Sequence, residues 1–250
     1  MIDLHSHVLP SLDDGAASLD EAVSICRAAV DDGTTLLAGT PHVRFDYPTA
    51  PEEMTARLDA LRDAARHLPI EIVGGGEIAL DQLGRGFQEL RAFGLAGNPD
   101  VLLIETPYFG WPEGLVRALR DLRRSGIVPV LAHPERNHAI QMAPDRVGEV
   151  IEAGALVQVT AAAVDGRHGE REQNAALRLI WTKKAHLIAS DAHAPSIRKV
   201  GLRHAADVVG RPDLVRWLTH DLPEAIVRGT PLPPRPSTPR RLFPRPLRHR

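Results

Sequence analysis

Residues 128–136 read VPVLAHPER, an aliphatic run from Val128 to Leu131 followed at once by the imidazole of His133, the carboxylate of Glu135 and the guanidinium of Arg136. A short β-branched run of this kind suits a buried strand. Six further runs resemble it: Ile2 to Leu4, Thr35 to Ala38, Ile70 to Val73, Val101 to Ile104, Leu156 to Val159 and His186 to Ala189. Helical patterns lie between them. Ser18 and Glu21 form a capping box ahead of an apolar face of Ala22, Val23, Ile25, Cys26, Ala29 and Val30. Pro51-Glu52-Glu53 opens a second helix, with proline and acids where free N–H groups and the helix dipole favour them. Further helices fit 113–124, 144–153 and 170–184, with short pieces after Ile197 and Pro212. Strands alternating with helices predict βαβ units and a parallel sheet. Seven such strands would close into a distorted barrel ringed by helices, with an open doubly wound sheet as the competitor.

The chain has 250 residues, 43% of them hydrophobic, which suits one α/β domain of barrel size and excludes gross disorder. With 30 Lys and Arg against 32 Asp and Glu, no overall basic field draws it to nucleic acid. The charge is unevenly placed, because residues 231–250 carry six arginines and seven prolines but no acid, leaving residues 1–230 with a net charge of −8. Residues 1–230 are therefore read as the folded domain and 231–250 as a disordered Pro/Arg-rich tail, able to touch an acidic partner or membrane surface. No apolar run is long enough for a membrane-spanning helix and no signal peptide opens the chain, so a cytoplasmic location is expected. The single cysteine, Cys26, allows neither an internal disulfide nor a thiolate metal cage.

Six of the seven runs end in a group suited to a metal ion: His5 and His7, His42, Glu77, Glu105, His133, and Asp191 with His193. In parallel α/β folds such ends share one mouth. His5-x-His7 points two imidazoles to the same side, and Asp14-Gly15 follows in a tight turn. Pro41 aims His42, and the glycines of Gly74-Gly75-Gly76-Glu77 would let the backbone approach an ion or phosphate closely. Glu105 ends an apolar strand, where a nearby cation would offset the cost of burying its charge. Nine ligands (His5, His7, Asp14, His42, Glu77, Glu105, His133, Asp191 and His193) exceed the needs of one ion, so two or three divalent metals are expected. Nitrogen and oxygen donors admit Mn²⁺, Fe²⁺ or Zn²⁺ alike. Arg136 and Arg198 match phosphate oxygens, and metal-assisted hydrolysis of a phosphate ester follows. Tyr108 and Trp111 fall near the Glu105 loop, where core or rim packing is the expected role and stacking on an aromatic substrate at the mouth the alternative.

At these residues the sequence resembles the polymerase-and-histidinol-phosphatase (PHP) superfamily, and within it the manganese-dependent protein-tyrosine phosphatases of bacterial capsule and exopolysaccharide clusters. The resemblance is carried by MIDLHSHVLPSLDDGA at 1–16, TPH at 40–42, GGGEI at 74–78, IETP at 104–107, AHPER at 132–136, QVTA at 158–161 and SDAHAPSIR at 190–198. It implies a distorted seven-stranded (βα) barrel with three metals at its mouth. It groups His5, His7, Glu77 and Asp191; Asp14, His42 and His193; and Glu77, Glu105 and His133. It further implies hydrolysis of phosphotyrosine on the C-terminal tail of a bacterial tyrosine kinase that controls polysaccharide export. A hydroxide shared between metals would attack phosphorus in line while Arg136 and Arg198 hold the phosphoryl oxygens. A small-molecule phosphatase acting on a substrate such as histidinol phosphate is the alternative enzyme, and a non-catalytic metal-binding module the alternative class. Oligomeric state is not legible in the sequence.

Overall fold

A computed structural model describes residues 1–195 and 199–237. Its strands are β1 (Ile2–Ser6), β2 (Leu36–Gly39), β3 (His42–Arg44), β4 (Tyr47–Pro48), β5 (Glu71–Gly74), β6 (Glu77–Ala79), β7 (Val101–Glu105), β8 (Val128–Ala132), β9 (Leu156–Thr160) and β10 (Leu187–Ala189). All pair in parallel except the short β3–β4 hairpin. One sheet runs β1-β2-β5 and the other β10-β9-β8-β7-β6-β3-β4. Two strand lines are each broken in the middle, β2 passing into β3 at Thr40-Pro41 and β5 into β6 at Gly75-Gly76. Both breaks transfer the chain from the first sheet to the second. The two outer strands meet as well: Ser6 bridges Ala192, Asp191 N–H donates to the His5 carbonyl at 2.8 Å, and His7 N–H donates to the Ala192 carbonyl at 2.7 Å. Seven strand lines thus follow one another in sequence through two predominantly parallel sheets, and β1 approaches β10 at the isolated Ser6–Ala192 bridge. Proline is tolerated in β8 because pairing with β9 starts only at Val130, after Pro129.

Helices cover the outside. In the first, Leu19–Asp31, Ser18 Oγ accepts from Glu21 N–H, and the Glu21 carboxylate reaches back to Ala17 N–H at 2.9 Å, one residue before the cap. Its inner face buries Ala22, Ile25, Cys26 and Ala29. Helices Pro51–Ala65, Leu115–Arg124, Val147–Glu152 and Glu170–Trp181 follow, with boundaries a few residues inside those read from the sequence. Residues 80–97, which lack a clear period, form only short turns of helix, interrupted at Gly86 and Gly94. The start of the Pro/Arg-rich segment departs from a simple solvated extension. Trp217 Nε1–H donates to the Pro233 carbonyl, and Arg235 lies 4.9 Å over the Trp217 ring while donating to the carbonyls of Ala185 and Ile180. Residues 231–237 hold neither helix nor strand. The rest of that segment, from 238, lies outside the described residues. No described helix is long and apolar enough to cross a membrane.

Candidate metal centre

Parallel strands deliver their C-terminal ends to one mouth, and the nine sequence-predicted side chains meet there. His5 and His7 leave β1 on the same face, with Nε2 atoms 3.3 Å apart. Each lies within 3.5 Å of both Glu77 and Asp191 carboxylate oxygens. Asp14 Oδ1 stands 3.4 Å from His42 Nε2 and 3.4 Å from His193 Nε2, and His7 completes that group. His42 Nδ1 faces Glu77 Oε2 at 2.8 Å and Glu105 Oε2 at 3.7 Å. His133 Nε2 contacts Glu77 Oε1 at 2.8 Å. Glu77 and Glu105 are therefore grouped with His42, whereas the resemblance implies His133 in that place. His133 and Asp191 both adopt left-handed backbone, at φ 30° and 53°, a conformation uncommon for non-glycine residues that turns each side chain out of its strand and into the mouth.

The groups behind the ligands fix which ring nitrogen faces inward. His7 Nδ1 pairs with Asp13 Oδ2 at 2.6 Å, His5 Nδ1 with Gln158 Oε1 at 3.1 Å, and His193 Nδ1 with the Asp191 carbonyl at 2.9 Å. Each acceptor selects the Nδ1–H tautomer, leaving the Nε2 lone pair for the centre. Asp13 also accepts from His42 and Gly15 N–H groups, at 2.8 and 2.9 Å. Asp3 accepts from Ser190 N–H at 2.9 Å and His5 N–H at 3.3 Å, tying β1 to the Ser190 loop. Converging lone pairs on His5 and His7, and a close His42–Glu77 approach that forms no hydrogen bond, are the arrangement a cation resolves. Donor atoms 3.3–3.5 Å apart are also the edges of a coordination polyhedron with bonds of roughly 2.1 Å. The residues present thus fit divalent ions bound through nitrogen and oxygen.

Charge is tightly interleaved. Burial is the largest influence on His7 and favours its neutral form, but Asp13, Asp191 and Glu77 outweigh it and raise the pKa well above the ordinary value. His42 follows the same pattern, with Asp14 and Glu77 opposing burial and lifting it to about 9. Burial would raise Glu77 and Asp191, yet the surrounding imidazoles hold both well below the usual carboxylate range. Glu105 moves up, first through burial and then through the Glu77 charge. Burial raises Asp3 to about 6 and also raises Glu135, whose Oε1 accepts from Thr160 N–H at 2.7 Å.

Arg136 reaches the rim, with Nη1 2.6 Å from Asp191 Oδ2 and its guanidinium 4.8 Å over the Tyr108 ring. Arg198 lies outside the described residues. Tyr108 is also stacked against His133, while Trp111 packs on the core under Arg146. The glycines before Glu77 serve protein packing, contrary to the expected approach to an ion or phosphate. A Cβ on Gly75 would meet Leu95 Cα at 3.2 Å, and one on Gly76 would meet Val43 and Phe93 side chains at about 3 Å. Four groups escaped the sequence reading: Asp13, Asp3, Gln158 and Arg44. Asp3 shares the His5 face by its i, i+2 spacing, and Gln158 is the lone polar residue within Leu156 to Val159, so both carried a signal. Arg44, two residues beyond His42, has Nη1 3.6 Å from Glu105 Oε2 and Nε 2.8 Å from Asp46. It helps line a cleft of about 640 Å³ that opens beside Glu105.

The family model described as "Capsular polysaccharide synthesis, CpsB/CapC" matches residues 1–227. The tyrosine-protein phosphatase YwqE of Bacillus subtilis is 32% identical over 97% of this chain and 99% of its own length. The tyrosine-protein phosphatase CpsB of Streptococcus agalactiae serotype V is 27% identical, covering 84% of this chain and 90% of the relative. A crystal structure from work on YwqE and Streptococcus pneumoniae CpsB, described as unique metal-dependent tyrosine phosphatases, superposes with a TM-score of 0.85 at 29% identity. The match covers 95% of this chain and all of that one. With nearly its whole length matched in sequence and in fold, the chain belongs to the CpsB/CapC family of capsular polysaccharide synthesis.

Proposed function

We propose that this chain is a metal-dependent protein-tyrosine phosphatase that acts on a phosphotyrosine segment of a bacterial tyrosine kinase controlling capsular or exopolysaccharide synthesis. The observation that carries the reading is the convergence of nine nitrogen and oxygen donors at one mouth, with Arg136 on its rim. Family membership and the printed activities of YwqE and CpsB support it. Because the substrate is made with ATP, a cytoplasmic setting goes with it.

His5, His7, Asp14, His42, Glu77, Glu105, His133, Asp191 and His193 would hold two or three ions, with Mn²⁺ the proposed metal and Fe²⁺ or Zn²⁺ the competitors. Such ions lower the pKa of water and neutralise charge on phosphoryl oxygens when bound. Asp13, Gln158 and the Asp191 carbonyl keep the imidazoles in the ligating tautomer. Arg136 offers planar donors to the phosphoryl group, and Arg198 is proposed as its companion. Tyrosine, with a pKa of about 10, is a better leaving group than an alkyl alcohol, so little acid assistance is needed. Cys26 takes no part: it is buried on helix Leu19–Asp31, where burial pushes its thiol up to about 12.

Two comparisons test this. Chelated protein with Mn²⁺, Fe²⁺ or Zn²⁺ restored should release phosphate faster from a phosphotyrosine peptide than from histidinol phosphate. The reverse preference would move the chain to small-molecule metabolism. Arg136→Ala should lower kcat/KM by about 100-fold with metal content unchanged, as for loss of one transition-state donor. Loss of the metals instead would make its bond to Asp191 the role that matters.

A further inference from the structure

The cleft beside Glu105 mixes charged and apolar surface: the carboxylates of Asp46 and Asp81 lie on its exposed edge, while Arg44 and Glu105 are less exposed. Arg44, Glu105 and Thr106 lie along it with Ala79 and Leu80. Two further lining residues, Phe45 and Phe109, are 89% and 81% exposed. They come from different loops, Phe45 between β3 and β4 and Phe109 after β7. An isolated exposed phenylalanine is ordinary, but two nearly bare rings on one cleft form a patch from which a ligand gains by displacing water. Aromatic rings prefer other rings in offset or edge-to-face contact. The cleft joins the ligand cluster through Glu105, which belongs to both. Its lining therefore suits a molecule that is anionic at the end nearest the metals and aromatic further out.

Resting on the tyrosine-phosphatase reading, we infer that Phe45 and Phe109 clasp the phenyl ring of the phosphotyrosine and make the enzyme selective for aryl over alkyl phosphates. The ring enters between the two loops, with its phosphoryl group directed to Glu105 and the metal ligands. Arg44 stands at the anionic end, its guanidinium held by Asp46 and backed by the Tyr47 ring at 5.0 Å. The ring contact is a binding contact, so its loss appears mainly in KM.

The test uses the full chain loaded with a divalent metal, with metal content and melting temperature checked for each variant. Calorimetry compares phenylphosphonate with methylphosphonate in the wild type, Phe45→Ala, Phe109→Ala and the double variant. The wild type should prefer the phenyl ligand, and each single substitution should reduce that preference about fivefold. KM for a phosphotyrosine peptide should rise in step, with kcat falling less than twofold. Phe→Leu at either site should restore part of the loss. A phenyl preference untouched by both substitutions would overturn the assignment. So would a change in self-association by light scattering with no change in phenyl binding, which would make the patch a contact between copies. If the wild type cleaves the peptide while the variants bind and turn over normally, the ring clasp alone fails. If the variants lose phenyl binding yet no form cleaves phosphotyrosine peptides, the ring clasp stands and the activity reading fails.

Discussion

His7 is gripped from both sides. Its Nδ1 meets Asp13 at 2.6 Å, while its Nε2 faces His5, Glu77 and Asp191. A carboxylate behind a ligating imidazole fixes its tautomer and raises its basicity. Asp13→Asn keeps an acceptor in the same place but removes the charge, and metal affinity should fall about 10-fold to 100-fold in competition with a chelator. Unchanged affinity would reduce Asp13 to a loop constraint. At this scale the sequence names the ligands better than their supports. In the sequence the candidate ligands follow apolar runs, where a His or an acid stands out, whereas Asp13 is obscured by Asp14 beside it. Only the fold shows which of the two faces the His7 ring, with an Asp13 side chain 1% exposed and an Asp14 side chain 41% exposed.

The elements that aim these groups are short, and their turns matter as much as their strands. The loop after β1 folds back so closely that a Cβ on Gly15 would sit 2.1 Å from the His7 carbonyl oxygen. Backbone cannot yield as a flexible side chain does. Gly15→Ala should therefore displace Asp13 and Asp14 together, lowering metal content and destabilising the fold by about 1–3 kcal/mol, read by elemental analysis and thermal melting. Full metal content in that variant would show that the loop adapts. Strand identity, order and the ligand at each end are legible because apolar runs and their polar ends are local patterns. The breaks at Thr40-Pro41 and Gly75-Gly76 are less so; at the second, Gly75 and Gly76 lie against Leu95 and Phe93 from a later segment of the chain. The approach of His42 to both Glu77 and Glu105 likewise depends on pairing across β3, β6 and β7.

Over the whole molecule, two ends of the fold are fastened differently. At the mouth, interleaved charges surround the candidate ligands; at the far end, Pro233 and Arg235 hold Trp217, whose ring lies near that of His186. Burial, followed by the Arg235 charge, lowers His186 to about 4. The folded state therefore favours the neutral imidazole. Its contribution is fully present above the unfolded pKa of about 6.5 and is lost as pH falls from there toward 4. Arg235→Ala should move the His186 titration upward by NMR and lower the melting temperature, through lost stacking on Trp217 and lost bonds to Ala185 and Ile180. An unshifted titration would show that Arg235 exerts no field there. This fastening was hidden in the sequence because proline and arginine content signals only the absence of regular structure. A single Arg–Trp contact with a carbonyl pair leaves no periodic trace.

In the proposed function, nine side chains gathered at one mouth hold the metals on which activity depends. Crystals grown with Mn²⁺ and measured by anomalous diffraction address it directly. Two or three anomalous peaks per chain are expected, at coordination distance from His5, His7, Asp14, His42, Glu77, Glu105, His133, Asp191 and His193. Fully active protein with no peak at that mouth, or with a peak elsewhere and none among these residues, would contradict it.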